Sequence, residues 1–369
     1  MQKAAPKARI GVIGAGRIVE HVHLPLLSRM EGASVVGLFD TDPNRLRALS
    51  HYAEPIRLCH TLDELFNLDL DLTLIACPNH LHGPMTIAAL DAGAHVVCEK
   101  PMASNSVEAE RMVRKAESAG RELVVGFANR FRPEVCALRQ AVENGTLGEI
   151  RAIRSGWLRR KGVPGMGTWF TNRAFSGGGA LIDLGSHLLD LSIWLSGRRR
   201  LVKVECDLDP LRKTEEQASW YLPSASMADS LVDVEVSVSG FMVFEGPFNL
   251  FVEASWDCGV PYDQTYLHVI GERGVARLST LFGLSHNGHR PEYPLQMWSD
   301  CRPVVTQAVT TTDLLQPYRD MWKYVIENIS NGHSLRSSMY DALSVVQTID
   351  ELYRAAGEAK QCNEVRGGE

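Results

Sequence analysis

The stretch ARIGVIGAGRIVEHVHL, residues 8–24, decides the fold of the first third of the chain. An apolar run that ends at Ile13 is followed at once by a turn from Gly14 to Gly16 and then by residues that suit a helix. In a dinucleotide-binding turn the first glycine permits a tight bend and the second lets the backbone approach a pyrophosphate, while a third glycine or an alanine lets the helix pack closely. Val19 occupies that third position here, which predicts a slightly displaced helix but leaves both phosphate-facing glycines in place.

A second apolar run, residues 35–39, ends in Asp40, and this acid bears on the choice of dinucleotide. A carboxylate at the end of the second strand hydrogen-bonds the ribose hydroxyls of NAD and repels the 2′-phosphate of NADP. Asp40 would also suit the opening of the turn at residues 40–43, and Arg45 nearby would suit a 2′-phosphate. We expect NAD rather than NADP as the cofactor.

Further apolar runs alternate with helix-like segments, in the order 72–76, 83–92, 94–98, 106–119 and 123–127. Asn105 and Glu108 have the spacing of a capping box at the start of the second helix. Strands that are apolar throughout and alternate with helices predict a parallel sheet covered on both faces. Ligands bind such sheets beyond the carboxyl ends of the strands, where the segments CPNH at 77–80 and EKP at 99–101 fall.

The rest of the chain has a different pattern. Residues 201–278 contain several segments in which apolar and polar side chains alternate, as expected of an antiparallel sheet covered on one face only. Helices are predicted at 316–330 and 339–356. The fold class is therefore α/β, with an N-terminal Rossmann-type doubly wound parallel sheet and a C-terminal α+β domain that has a large, open, mostly antiparallel sheet.

Five segments resemble the Gfo/Idh/MocA family, named for glucose–fructose oxidoreductase, inositol dehydrogenase and a rhizopine-catabolism protein. They are GVIGAGRI, CPNHLHGP, CEKPMA, GGGALIDLGSHLLDL and YDALSVVQTIDELYRAA, in the family's order over nearly the whole chain. The resemblance implies an NAD-binding domain at 1–128 and a substrate-binding and oligomerisation domain at 129–369. It is also compatible with packing of the C-terminal helix of the second domain against the first domain. It also implies hydride transfer between NAD(H) and a secondary alcohol or ketone of a sugar, cyclitol, aminosugar or sugar derivative.

Asp183 and His187 are four residues apart in a glycine-preceded segment, and a helix would place them on one face. Oxidation of an alcohol needs a base, and histidine titrates in the range suited to proton transfer near neutrality. A lysine can stabilise negative charge as it develops on the substrate oxygen. Our hypothesis is that His187 is the acid/base, Lys100 polarises the oxygen, and Asp183 orients the substrate or its partner. The alternative is an ordinary helix-surface pair of Asp183 and His187, worth about a few tenths of a kcal/mol.

The remaining candidate residues surround the two predicted binding regions. Those expected to contact NAD are Gly14, Gly16, Arg17, Ile18, Asp40, Pro78, Asn79, His82 and Glu99. Those expected to contact substrate are Asn129, Arg159, Trp169 and Arg173. The loop that carries the last three has an aromatic side chain and several cations, which suit a sugar face with an anionic group; the same arginines would equally suit a solvated loop.

Composition excludes several other classes. The formal net charge of −6 argues against nucleic acid as a main partner, and no stretch approaches the ~18 apolar residues that would span a membrane. Eight scattered cysteines without a C-x-x-C motif imply neither a disulfide framework nor a zinc site. The pairs His21/His23 and His80/His82 have no carboxylate or cysteine that would complete a set of metal ligands, so no metal is predicted. A structural role is expected for His21, His23 and His80. We expect a cytoplasmic protein that forms a homodimer or homotetramer through the open face of its C-terminal sheet, as the family does.

Two other functions fit the same motifs. One is an NAD-dependent glycoside hydrolase, in which the cofactor is transiently reduced and then regenerated. The other is a non-catalytic dinucleotide-sensing regulator, against which the presence of Lys100 and His187 argues.

Overall fold

The structure is a computed structural model, and it describes residues 7–52, 56–210, 232–283, 294–304 and 313–366. The chain divides into two compact units. The first comprises Met1–Ala128 and Leu315–Leu343, and the second comprises Asn129–Leu314 and Ser344–Glu369.

The first unit contains a six-stranded sheet in the spatial order 3-2-1-4-5-6, and all its neighbouring strands are parallel. Its strands are β1 (Ala8–Ile13), β2 (Ala33–Phe39), β3 (Arg57–Cys59), β4 (Leu72–Ile75), β5 (His95–Cys98) and β6 (Leu123–Val125). The order reverses between β1 and β4, and ligands of such sheets bind beyond the carboxyl ends of the strands at this point. The predicted Rossmann-type sheet is confirmed.

Five α-helices connect these strands: α1 (Leu24–Leu27), α2 (Pro43–Ala48), α3 (Leu62–Phe66), α4 (His82–Asp91) and α5 (Ser106–Ala119). A π-helical turn, Val19–His23, precedes α1, and 3₁₀ turns lie at Ser50–Tyr52 and Asn79–Leu81. At the start of α5 the Asn105 side chain accepts a hydrogen bond of 3.0 Å from the amide of Glu108, as the capping pattern predicted. The helix ends at Gly120, whose positive φ of 62° suits glycine at this position.

The second unit contains an eight-stranded sheet in the order 14-13-12-11-7-10-9-8. Its strands are β7 (Ile150–Leu158), β8 (Leu201–Pro210), β9 (Glu235–Phe244), β10 (Phe248–Ser255), β11 (Gln264–Gly271), β12 (Gly274–Thr280), β13 (Leu295–Ser299) and β14 (Arg302–Val304). Only the β7–β10 pair is parallel among these neighbours. The mostly antiparallel sheet is confirmed, and β13 and β14 extend it beyond the predicted strand region.

The helices of the remaining chain are α6 (Pro133–Glu143), α7 (Arg173–Ser176), α8 (Ser186–Ser196), α9 (Gln316–Ser330) and α10 (Arg336–Arg366). 3₁₀ turns lie at Ala128–Phe131 and Trp169–Thr171. The bounds of α9 are those predicted, and α10 contains the predicted helix at 339–356. Helix α9 belongs to the first unit, and α10 begins there and continues into the second.

The segment that carries Asp183 and His187 differs from the regular helix that the sequence predicted. A π-helical turn, Leu181–Gly185, holds Asp183, and α8 begins after it with Ser186. Such single turns widen an α-helix locally and occur frequently at functional sites. Residues 186–193 of α8 are all buried, so the helix has no solvent-facing side there.

Candidate active site

The glycine turn after β1 has the geometry that a pyrophosphate requires. Gly14 has a φ of 101°, and a Cβ atom there would lie 2.5 Å from the carbonyl oxygen of Ala76. A Cβ atom on Gly16 would have nothing nearer than 3.9 Å, so the second glycine faces open space. Arg17 and Ile18 follow, half-buried, as predicted contacts of the cofactor. The residues present therefore fit a dinucleotide, which needs a tight first turn and an open approach to the second glycine.

Asp40 has two roles at the end of β2. Its Oδ2 accepts a hydrogen bond of 2.6 Å from the Ala15 amide, and its Oδ1 accepts one of 2.8 Å from the Asp42 amide, which opens the following turn. Arg45 donates to the Ala15 carbonyl at 2.9 and 2.7 Å and to Glu20 at 3.1 Å. Because the guanidinium is held by these acceptors, the arrangement favours the ribose hydroxyls of NAD over a 2′-phosphate.

His82 joins the two loops that follow β4 and β5. Its Nδ1 lies 2.7 Å from the carbonyl oxygen of Pro101, and its Nε2 lies 2.9 Å from that of Cys77. Burial lowers the pKa of His82, although the two carbonyl contacts oppose that shift. The imidazole therefore links the two loops from a buried position. Pro78 is half-buried, and Asn79 is buried at the start of the adjacent turn.

Glu99, predicted to contact the cofactor, is held inside the first unit. Its Oε1 lies 2.8 Å from Nε2 of His23, and its Oε2 accepts a hydrogen bond of 3.2 Å from the Lys100 amide. Burial raises the pKa of Glu99, but the hydrogen bond and the electrostatic attraction of His23, followed by the charge of Lys100, more than offset it, so the pKa is lowered overall. Glu99 is therefore an ionised anchor for Lys100, which stands directly after it at the end of β5.

In the second unit His187 is buried beside an amide and an indole. Its Nδ1 lies 3.3 Å from Nδ2 of Asn129, and its ring centroid lies 5.5 Å from that of Trp157. Asn129 was predicted to contact substrate, and in the structure its amide lies beside the histidine. Trp157 was not predicted, because a tryptophan in a strand gives no local sign that it packs on His187.

Asp183 is fixed by side chains distant in sequence. Its Oδ2 accepts a hydrogen bond of 2.9 Å from the indole N–H of Trp256.

Arg159 is only 3% exposed, so the alternative of a solvated loop is wrong for Arg159. Its guanidinium lies 5.2 Å from the Trp157 ring centroid and 4.0 Å from Asp263. Burial lowers the pKa of Arg159 to about 10, and the attraction of Asp183 and Asp263 opposes the shift.

Arg173 and Trp169 occupy different surroundings. Arg173 is exposed, and its guanidinium lies 3.5 Å from Glu235 and 5.0 Å from the Tyr353 ring centroid. Trp169 is half-buried and packs edge-on against Phe170 at 5.2 Å. Arg173 therefore lies against Glu235 and Tyr353.

Glu235, at the start of β9, holds the turn that leads to the segment with Asp183 and His187. Its Oε1 accepts hydrogen bonds from the amides of Gly179 and Leu181, at 2.9 and 3.0 Å, and from the Tyr353 hydroxyl at 2.7 Å. A Cβ atom on Gly178 would lie 1.9 Å from that hydroxyl, so the glycine is required by close approach. Glu235 was not among the predicted site residues, because an acid at the start of a strand has no distinguishing sequence pattern until its partners are known.

Replacing Tyr353 with Phe is expected to lower the free energy of unfolding by about 1.5–3 kcal/mol, because a hydrogen bond to a buried carboxylate is lost. Burial raises the pKa of Glu235, and the Tyr353 hydrogen bond opposes that shift. The contribution of this carboxyl group to stability is therefore greatest below its ordinary pKa and is lost as pH rises through its folded pKa. Without the hydroxyl that folded pKa rises further, so the destabilisation should grow as pH rises. Urea unfolding at several pH values measures this.

The matched control is Tyr262→Phe, at a tyrosine of the same unit that is 40% exposed. That change should alter stability by no more than about 0.5 kcal/mol. An effect of Tyr353→Phe no larger than the control's would contradict the role given to the Glu235 hydrogen bonds.

Asp190 of α8 is buried. Arg130 donates to both of its carboxylate oxygens, with Nη2–Oδ1 at 2.5 Å and Nε–Oδ2 at 2.9 Å. This bidentate pair ties α8 to the segment at residues 128–131.

Metal sites and membrane-spanning helices are both absent from the described ranges. No group of three or more His, Cys, Asp or Glu side chains there could hold a metal ion. No helix in that part of the chain is long and apolar enough to cross a membrane.

Comparison with known proteins assigns the class and then the family. Residues 8–127 match the Gfo/Idh/MocA model for an oxidoreductase family with an NAD-binding Rossmann fold, and residues 135–277 match that family's C-terminal domain. The class is thus an oxidoreductase built on an NAD-binding Rossmann unit. The chain belongs to the Gfo/Idh/MocA family, and the predicted family, enzyme class and cofactor are confirmed.

Individual relatives cover most of the chain. A protein of Amycolatopsis mediterranei (strain S699), assigned as the oxidoreductase subunit of UDP-kanosamine synthase, is 34% identical over 363 residues, which are 95% of this chain and 97% of the relative. D-glucoside 3-dehydrogenase of Escherichia coli (strain K12) is 32% identical over 251 residues, 66% and 70% of the two chains. The crystal structure of GenD2 from gentamicin A biosynthesis, in complex with NAD, has a TM-score of 0.76 at 21% identity, covers 97% and 96% of the two chains, and shares the fold.

Proposed function

We propose that the chain is an NAD(H)-dependent dehydrogenase or ketoreductase that acts on a secondary alcohol or ketone of a sugar, cyclitol, aminosugar or sugar derivative. Residues 1–128 would bind NAD and residues 129–369 would bind substrate. The observation that carries the proposal is the buried imidazole of His187, whose Nδ1 meets the Asn129 amide while Trp256 fixes Asp183 four residues earlier. An oxidoreductase of this family needs such a proton-transfer group.

NAD, when bound, supplies the acceptor or donor of the hydride. Gly14, Gly16 and Asp40 would hold it at the end of β1 and β2, with Arg17, Ile18, Pro78 and Asn79 along the rim. Glu99 and His82 would act there by shaping the loops, because their polar atoms bond to protein groups.

Lys100 and His187 would act on the same substrate oxygen. In the oxidation direction His187 Nε2 takes the hydroxyl proton, and Lys100 stabilises the negative charge that develops on the oxygen. In reduction His187 returns the proton. Asn129 would suit both directions with its carbonyl oxygen turned toward Nδ1–H, because Nδ1 then keeps its proton while Nε2 takes the hydroxyl proton in oxidation and, from the imidazolium, returns it in reduction.

Asp183 would orient the substrate or the His187 ring, since Trp256 and the nearby Arg159 cation hold its carboxylate in place. The relatives named for a D-glucoside and for UDP-kanosamine favour a hexose-like ring. Trp169 offers an aromatic face for such a ring, and Arg173 offers a cation for an anionic group.

A substrate screen tests the proposal. The purified chain is mixed with NAD⁺ and a panel of glycosides, sugar nucleotides, inositols and aminocyclitols, and the absorbance of reduced nicotinamide is followed. Accumulation of NADH with one compound class supports the proposal. Hydrolysis of a glycoside without net NADH would instead support the hydrolase, and NAD binding without any turnover would support the regulator.

We also propose that the enzyme is a cytoplasmic homodimer or homotetramer that associates through the open face of the eight-stranded sheet. Phe241 is 41% exposed on this face and lies beside Phe251 of β10, whereas the next residue of β9, Met242, is fully buried. These two phenylalanines, the aromatic row of this face, suit burial against a second copy. The seven described cysteines are unbonded, which suits a reducing compartment, and cell fractionation tests that location.

Phe241→Asp is expected to shift the chain to a smaller assembly, because it places a charge in the aromatic row. Light scattering after size exclusion measures the mass. Val107→Asp is the control, since Val107 is 58% exposed on α5, away from this sheet. An unchanged mass for Phe241→Asp, or a monomeric wild-type chain, would contradict the proposed interface.

A further inference from the structure

Three buried side chains of the first unit form a hydrogen-bonded chain that ends at Lys100. The indole N–H of Trp322 on α9 donates to His23 Nδ1 at 2.9 Å. His23 Nε2 lies 2.8 Å from Glu99 Oε1, and Glu99 Oε2 accepts from the Lys100 amide at 3.2 Å. Trp322 and His23 are fully buried and Glu99 is 8% exposed.

The chemistry of these groups fixes the protonation state of the histidine. An indole N–H can only donate, so His23 Nδ1 must present its lone pair. The proton of the neutral ring is therefore on Nε2, where it is donated to the Glu99 carboxylate. A second proton on Nδ1 would point at the indole proton, so the imidazolium form is excluded while Trp322 keeps this position.

The groups that face His23 come from two elements of the first unit. Glu99 and Lys100 approach from the end of β5, and Tyr318 and Trp322 of α9 pack edge-on against the ring at centroid distances of 5.9 and 5.7 Å. Glu99 is then an ionised carboxylate with one oxygen held by a neutral donor and the other left for the Lys100 amide.

We propose that His23 is a positioning residue of the enzyme, which Trp322 locks as the neutral Nε2–H tautomer and which acts through Glu99 to set the place of Lys100. This inference rests on the proposed function, in which Lys100 polarises the substrate oxygen. It explains why a helix from the far end of the chain belongs to the cofactor-binding unit: α9 supplies the donor that selects the tautomer.

The protonation state is tested directly by ¹⁵N NMR of the histidine side chains, with the His23 signals identified by their loss in His23→Gln. At neutral pH the wild-type ring should show a protonated Nε2 and an unprotonated Nδ1. In Trp322→Phe the Nδ1 signal should shift toward that of a protonated nitrogen, because the indole donor that selects the tautomer is gone. A wild-type ring that is protonated on Nδ1 would overturn the inference.

Activity tests the positioning role. His23→Leu should lower kcat by up to about 100-fold, the loss expected when a reacting group is displaced by about 1 Å, with NADH affinity little changed. His23→Gln, which can accept from Trp322 and donate to Glu99, should recover most of that loss. The control is His21→Leu, whose half-exposed side chain lies on the same helical turn.

Wild-type turnover in His23→Leu, or no recovery in His23→Gln, would overturn the inference. Should His23→Leu fail to fold, Trp322→Phe decides instead, and its kcat should be lower than the wild-type value while its NADH affinity is little changed. Failure of the proposed function has a different signature, namely a wild-type chain that turns over no substrate, and the NMR experiment then still decides the state of His23.

Discussion

Lys100→Met is expected to lower kcat by about 10²–10³-fold while leaving NADH affinity nearly unchanged. The lysine follows Glu99 at the carboxyl end of β5, and its ammonium is proposed to stabilise the charge that develops on the substrate oxygen. Losing one such preorganised donor has an effect of this size in other enzymes. Methionine keeps most of the apolar stem, so the fold and the cofactor turn should persist. Steady-state kinetics and NADH fluorescence titration measure the two quantities.

The control for this prediction is Lys115→Met, which removes a lysine from the surface of α5 where it pairs with Asp91. Surface ion pairs contribute about 1 kcal/mol or less, so this variant should have wild-type kinetics. Turnover of Lys100→Met within a factor of a few of the wild-type value would remove Lys100 from the mechanism.

His187→Asn is expected to lower kcat by about 10²–10⁴-fold, the range typical of a lost general acid or base. The amide can still meet Asn129, but it cannot exchange a proton with the substrate near neutral pH. Residual turnover should also lose one limb of the wild-type pH profile. Stopped-flow measurement of single-turnover hydride transfer separates this chemical defect from slow product release.

A matched histidine stands on the sheet of the same unit. His268 of β11 packs its ring 5.1 Å from that of Tyr266, and it has no place in the proposed mechanism. His268→Asn should therefore keep the wild-type rate and pH profile. If His187→Asn behaves like His268→Asn, the buried imidazole is structural and another group transfers the proton.

Short-range sequence patterns predicted the elements that are specified by residues close together in the chain. The glycine turn and the apolar runs around it predicted the parallel sheet, and the capping pair Asn105 and Glu108 predicted where α5 begins. The π-helical turn at residues 181–185 was not predicted, because the spacing of Asp183 and His187 was interpreted with the period of a regular helix.

The partners of the candidate catalytic residues could not be predicted, since they come from distant parts of the chain. His187 meets Asn129, 58 residues away, and Asp183 meets Trp256, 73 residues away. The turn before them is held by Glu235, which lies 54 residues from Leu181. None of these pairs has a spacing that a helix or strand period would reveal.

The sequence by itself determined the cofactor-binding fold, the family and the positions of Lys100, Asp183 and His187, because motifs of a few residues encode backbone turns and strand ends. Only the tertiary structure decided how these side chains are held. The sequence predicted a structural role for His23, but not its partner Trp322, which lies 299 residues later and donates to its ring. Hydrogen-bond donors and acceptors are matched by packing in space, and one chain's sequence order carries no record of that matching.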